Sequence, residues 1–164
     1  MLINNHIFIV NNIKTYYPRE IEEIEPLYSL FLKEKNNYFF ARDRKINFTV
    51  DEFNSLNLLL QVNGSLDIFQ QCESLGLPKH IDYQELINNQ IIDCGFLEGI
   101  NYLYTIYKSK YKIVKIDLPE THLHPLVHIP LLKLISKQCK QLIIFTYSDH
   151  IYQRLMREKY NIGY

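Results

Sequence analysis

The chain has 164 residues, 47% of them hydrophobic and 22% charged, a size and composition that fit one folded domain and exclude a disordered or collagen-like chain. Its 18 Lys+Arg balance 18 Asp+Glu, so it lacks the net basic field that a dedicated nucleic-acid binder carries. No apolar run approaches the ~20 residues that cross a bilayer, and polar Asn4, Asn5 and His6 interrupt the segment where a secretory signal would place its apolar core; a cytoplasmic protein with no membrane contact is expected.

No repeat or linker divides the chain, which reads as a single domain, 1–164, with a β-containing and helical N-terminal region over 1–90 and a clearer α/β pattern over 91–164. Runs of aromatic and β-branched residues at His6 to Val10, Asn37 to Ala41 and Ile46 to Val50 predict two or three antiparallel strands, with a helix over Glu22 to Glu34 between the first two. Helices are expected from Asp51 to about Val62, from Ser65 to Gly76 and over Tyr83 to Asn89. After Gly95 the stripe Phe96, Ile100, Leu103, Tyr104 and Tyr107 marks a helix, Tyr111 to Asp117 ends in a strand, and a turn with Pro119 and Pro125 leads to a helix over Leu126 to Lys137. Gln141 to Phe145 is a second buried strand, and Ser148 or Asp149 opens the last helix. The alternation of helices and strands predicts parallel strands joined by a right-handed crossover, with any site at their carboxyl ends.

Those ends hold the specific signal. The first reads Asp117-Leu118-Pro119-Glu120-Thr121-His122-Leu123-His124-Pro125, and the second Thr146-Tyr147-Ser148-Asp149-His150. An acidic residue closing an apolar strand is where nucleotide hydrolases hold Mg²⁺, and a polar tip on the next strand is where they sense the γ-phosphate. Seven consecutive residues, Pro119 to Pro125, together with Asp117 and Thr146 to Ser148, resemble the C-terminal half of an ABC-type ATPase head, in the branch of the overcoming-lysogenisation-defect (OLD) and SMC-like ATPases. Asp93-Cys94-Gly95 stands where that family has its signature turn. The resemblance covers about Ile91 to Leu155 and implies a partial P-loop-NTPase-like parallel sheet flanked by helices.

The departures fall on phosphate-handling positions. Leu118 replaces the family's general base and can neither accept a proton nor orient a water. Tyr147 replaces the sensing histidine, and Asp93 replaces the signature serine. None of the five glycines, Gly64, Gly76, Gly95, Gly99 and Gly163, builds a phosphate loop followed by Lys. The resemblance therefore implies a catalytically inactive ATPase-like protein that does not hold ATP by itself. Its partner would be an intact ATPase or nuclease subunit in prokaryotic anti-phage defence or DNA repair, or a second copy of itself, with nucleic acid reached through that complex. The expected contact face lies near Asp93, Gly95, His122 and Tyr147.

Blander readings stand beside these. Asp117 and Glu120 are candidates for catalysis or Mg²⁺ in a residual nucleotidase or nuclease, yet either could simply brace the turn. His122, His124 and His128 have metal-ligand types, whereas Pro119, Thr121, His122, His124 and Pro125 equally form the family's structural turn. The lysines Lys108, Lys110, Lys112 and Lys115 offer a nucleic-acid patch or a solvated face. Cys72, Cys94 and Cys139 are odd in number, form no C-x-x-C pair and read as buried hydrophobes. At 13% aromatic without Trp, the chain has more rings than a core of this size needs, which points to an interface.

Overall fold

The computed structural model describes residues 6–40, 51, 102, 105, 110–121 and 124–159. The chain forms two compact units, Met1–Arg42 with Ser109–Tyr164, and Asp43–Lys108. Of the second unit Asp51, Tyr102 and Thr105 are described; all three are helical, the first exposed and the others buried. The helices expected near 51–62, 65–76 and 83–89, the strand at 46–50 and the signature-like turn otherwise lie outside the described residues.

The first unit is built on a five-stranded sheet in the order β1-β2-β5-β4-β3. Strands β1 (Ile7–Val10) and β2 (Ile13–Tyr16) form an antiparallel hairpin. Its two-residue turn is Asn11-Asn12, with Asn11 at φ 54°, a left-handed conformation that Asn tolerates better than most residues. The Asn12 side chain donates to the carbonyls of Ser136 at 2.7 Å and Cys139 at 3.3 Å, which fixes the turn to the end of a helix 124 residues on. Strand β2 was not anticipated: Ile-Lys-Thr-Tyr is short and carries no apolar run, and it becomes a strand by pairing in parallel with β5 (Gln141–Phe145).

β5 pairs in parallel with β4 (Ile113–Asp117), and β4 with β3 (Tyr38–Phe40). The parallel β4/β5 pair matches the sequence expectation. The strands at 7–10 and 38–40, expected to be antiparallel partners, do not pair with each other: β1 pairs with β2, a strand outside that expectation, and β3 joins β4 in parallel. The strands of residues 7–40 and 113–145 thus share one α/β sheet.

Three helices flank it. In α1 (Ile21–Lys33), Leu27 and Phe31 are buried and Ile24, Tyr28 and Leu30 partly so, a stripe at helical spacing; Pro26 sits on the exposed side. The stripe packs on Tyr16, Ile143 and Phe145. Residues paired in register share a face, so Lys14, Tyr16, Ile143, Phe145, Lys115, Asp117 and Phe39 lie on the α1 side. Ile13, Leu142, Ile144, Val114 and Ile116 form the opposite, fully buried face. α2 (Pro125–Gln138) connects β4 to β5, and α3 (Asp149–Lys159) follows β5. The β2-α1-β3 and β4-α2-β5 units run across the sheet in opposite directions, and right-handed connections then place α1 and α2 on opposite faces.

Candidate functional site

Three loops meet the carboxyl ends of the parallel strands: residues 17–20 after β2, 118–121 after β4 and 146–148 after β5. This is where a parallel sheet presents ligands. Asp117 is fully buried, and its Oδ2 accepts a hydrogen bond from the Tyr28 hydroxyl of α1. Leu118 follows with φ 55°, a conformation that costs a leucine on the order of 1 kcal/mol. Its N–H donates to Phe145 O at 2.8 Å, and its side chain packs against the Tyr16, Phe31 and Phe145 cluster. Leu118, which the resemblance set at the position of a base, is thus half-buried and packed on the core.

Glu120 ties the second loop to the third. Its Oε2 accepts from Thr146 Oγ1 at 2.7 Å and its Oε1 from the Tyr147 N–H at 2.9 Å. Thr146 Oγ1 in turn accepts from Ser148 N at 2.9 Å, and Ser148 Oγ caps α3 by accepting from Ile151 N at 3.2 Å. Both carboxylate oxygens of Glu120 thus accept hydrogen bonds within the protein. Pro119 is buried and Thr121 closes the turn through its N–H to Leu118 O. His124 is the N-cap of α2, its Nδ1 accepting from Leu126 N at 3.2 Å, with Pro125 at the first helical position. His128 is buried on the same helix. His122, Asp93, Cys94 and Gly95 lie outside the described residues. Among the described residues no group of three His, Cys, Asp or Glu is placed to hold a metal ion.

The loop after β2 adds residues outside the two strand-end motifs. It reads Tyr17-Pro18-Arg19-Glu20. The Tyr17 ring stacks on Tyr152 of α3 with centroids 4.5 Å apart, and its hydroxyl donates to Asp149 at 3.2 Å. Burial, followed by the nearby Asp149 carboxylate, raises the Tyr17 phenol above its ordinary pKa. Arg19 lies over the Tyr152 ring and donates to its hydroxyl at 2.8 Å. These contacts join residues more than 130 positions apart, so no local pattern could have flagged them.

The loop of residues 17–20 is not a phosphate loop. A phosphate loop joins a strand to a helix through glycines whose N–H groups face the phosphates, and ends in Lys. The β2-to-α1 loop has no glycine, has a proline without an N–H, and ends in Glu20. Glu22 and Glu23 occupy the first turn of α1 and Asp149 that of α3, so the helix N-termini that would attract phosphate face carboxylates of their own.

The basic patch is also altered by the structure. Lys115 is buried, donates to Leu32 O at 3.1 Å and lies over the Phe39 and Phe31 rings at 4.5 and 5.3 Å. Burial lowers its pKa, opposed by the charges of Glu34 and Asp117. It is a core residue and is not available to a nucleic-acid phosphate, while Lys110 stays exposed. Exposed aromatics do occur as expected: Tyr147 at the tip of β5, edge-on to Phe145, and Phe39 on β3. No helix among the described residues is long and apolar enough to cross a membrane. No protein-family model, no curated protein and no solved structure matches this chain.

Proposed function

We propose that this chain is a catalytically inactive, ATPase-like protein that works by binding a protein partner. The observation that carries the reading is the internal use of the polar groups at the carboxyl ends of the strands. Asp117 is fully buried and hydrogen-bonded by Tyr28, Glu120 bridges Thr146 and Tyr147, and the loop after β2 ends in a carboxylate. A residue that polarises substrate must reach it, and Asp117 is closed off from solvent. The parallel β2-β5-β4-β3 set, with its acidic β4 end beside the polar tip of β5, supports a P-loop-NTPase-like ancestry. In that context the partner is an intact ATPase or nuclease subunit of a prokaryotic defence or repair system, and the contact face includes Tyr147, which is solvent-exposed beside these loops.

Thermal melting with millimolar Mg²⁺ and ATP tests the first half of the reading. No shift in Tm is expected, because a ligand that binds the native state must raise it; an ATP-dependent shift abolished by Asp117→Ala would refute inactivity. For the second half, a tagged chain should retain an ATPase or nuclease from its native host, and Tyr147→Ala or Asp93→Arg should release it. Retention unaffected by both substitutions places the contact elsewhere.

A further inference from the structure

Among the described residues one edge of the sheet is β1, and its backbone phase is fixed by one bond. Tyr17 N donates to His6 O at 2.8 Å, which makes His6 and Tyr17 a hydrogen-bonded pair of the hairpin. Bonded and non-bonded pairs alternate along an antiparallel ladder. Phe8, paired with Thr15, and Val10, paired with Ile13, therefore turn their N–H and C=O toward β2. Ile7 and Ile9 turn theirs outward, and these groups have no partner among the described residues.

Proteins ordinarily blunt such an edge with a charge, a proline, a bulge or a cover. β1 has none of the first three: its sequence is Ile-Phe-Ile-Val, its register runs unbroken through four pairs, and the Ile9 side chain is 53% exposed. The opposite edge, β3, is shorter at three residues.

We infer that β1 pairs with β1 of a second copy of this chain, antiparallel about a two-fold axis at Phe8. In that register Ile7 meets Ile9 of the second copy and Ile9 meets its Ile7, both as hydrogen-bonded pairs, and the two Phe8 residues face each other as the non-bonded pair between them. Every outward N–H and C=O of Ile7 and Ile9 is then satisfied, giving four backbone bonds. The occupant is a second copy because the edge is complementary to itself. A two-fold axis needs an antiparallel match of donors to acceptors, which Ile7 and Ile9 supply two residues apart. No charged residue within the strand opposes it, and the chain's zero net charge adds no repulsion between copies. The two five-stranded sheets become one continuous sheet.

The test uses the full chain. Light scattering should show a mass rising with concentration from 19.7 kDa toward twice that value. Amide exchange of Ile7 and Ile9 should slow over the same range, while Phe8 and Val10 stay protected throughout. Ile9→Glu places a carboxylate beside Lys14 within one copy, where it is tolerated, and sets it directly against Ile7 of the second copy, where a charge has no partner. It should weaken dimerisation by roughly tenfold or more with the melting transition retained. Ile9→Pro removes the outward donor without touching the bonds to β2, and should act the same way. A single-chain mass at every concentration, a dimer whose Ile7 and Ile9 amides exchange freely, or a dimer that a folded Ile9→Glu or Ile9→Pro variant leaves intact would each overturn the inference.

Discussion

The Tyr28 hydroxyl on α1 donates to the Asp117 carboxylate at the end of β4, joining residues 89 positions apart under a fully buried strand end. The Tyr28 ring is held independently by stacking on Phe31 and by Phe145 at 4.9 Å. Tyr28→Phe therefore deletes the hydroxyl while leaving the ring in place. A hydrogen bond to a charged group contributes about 1.5–3 kcal/mol, so the variant should unfold at lower denaturant with an unchanged slope. A loss under about 0.5 kcal/mol would mean that the bond does not hold Asp117 in place. The double variant Tyr28→Phe, Leu118→Glu should still show no ATP turnover, since a base without a bound, aligned substrate accelerates nothing.

Glu120 is the tie between two loops, and its two oxygens serve different partners. Glu120→Ala removes both bonds and leaves the buried Thr146 hydroxyl without its acceptor; a cost of about 2–3 kcal/mol is expected. Glu120→Gln keeps one carbonyl acceptor and should lose about half as much. Amide exchange at Tyr147 reports the tie directly and should quicken in the alanine variant more than in the glutamine variant. Unchanged Tyr147 protection in Glu120→Ala would show that the loops are held by other contacts.

Thr15 sits mid-way along β2, fully buried, and its hydroxyl has no hydrogen-bond partner among the described residues. A buried, unsatisfied hydroxyl carries a desolvation cost of about 1–3 kcal/mol. Thr15→Val replaces it with a methyl of similar shape in a strand position that favours β-branched residues. The variant should be at least as stable as the parent and gain up to about 1 kcal/mol in chemical denaturation. A clear loss of stability would reveal a bonded hydroxyl.

The parts of the fold legible in the sequence are those with strong local signals. β5 is four apolar residues behind Gln141, β4 carries Ile113, Val114 and Ile116, the α2 start is marked by His124-Pro125, and α3 opens behind Ser148, so their limits fall within about two residues of expectation. β2 has a weaker local signal: Lys14 breaks its pattern, and its strand character comes from β5 and from Glu34, which holds the Lys14 ammonium at 3.1 Å. The Asn11-Asn12 pair between two short β-prone segments was the one available clue to it. At the candidate site, Glu120 on one side and Thr146 and Ser148 on the other can be named because each strand end carries a contiguous motif. What they bind cannot, since Tyr28 meeting Asp117 and Tyr17 meeting Tyr152 are products of tertiary packing. Lys115 differs from the sequence expectation for the related reason that a lysine in a basic-looking run can still point inward from a strand, its ammonium on a carbonyl and two rings.

Cys139 follows the last turn of α2, buried, and burial pushes its thiol up to about 11 from 9.0. The thiolate is the reactive form, so at pH 8 a two-unit rise reduces it roughly hundredfold relative to an unfolded thiol. Iodoacetamide at pH 8, followed by peptide mass spectrometry, should label Cys139 about a hundredfold more slowly in the native chain than in the denatured one. The same shift sets a pH dependence of stability. Because the folded pKa is raised above the unfolded value, the folded state holds a proton that the unfolded state gives up between pH 9 and about 11. The associated stability is fully present below pH 9 and is lost as pH rises through about 11, by at most about 3 kcal/mol at 1.36 kcal/mol per unit. Cys139→Ala removes the titrating group while keeping the backbone bond from residue 139 to Ile135 O, and should flatten this part of the stability profile. Labelling of Cys139 in the native chain as fast as in the denatured chain would show that the thiol reaches solvent, and an alkaline stability loss unchanged in Cys139→Ala would assign that loss to other groups.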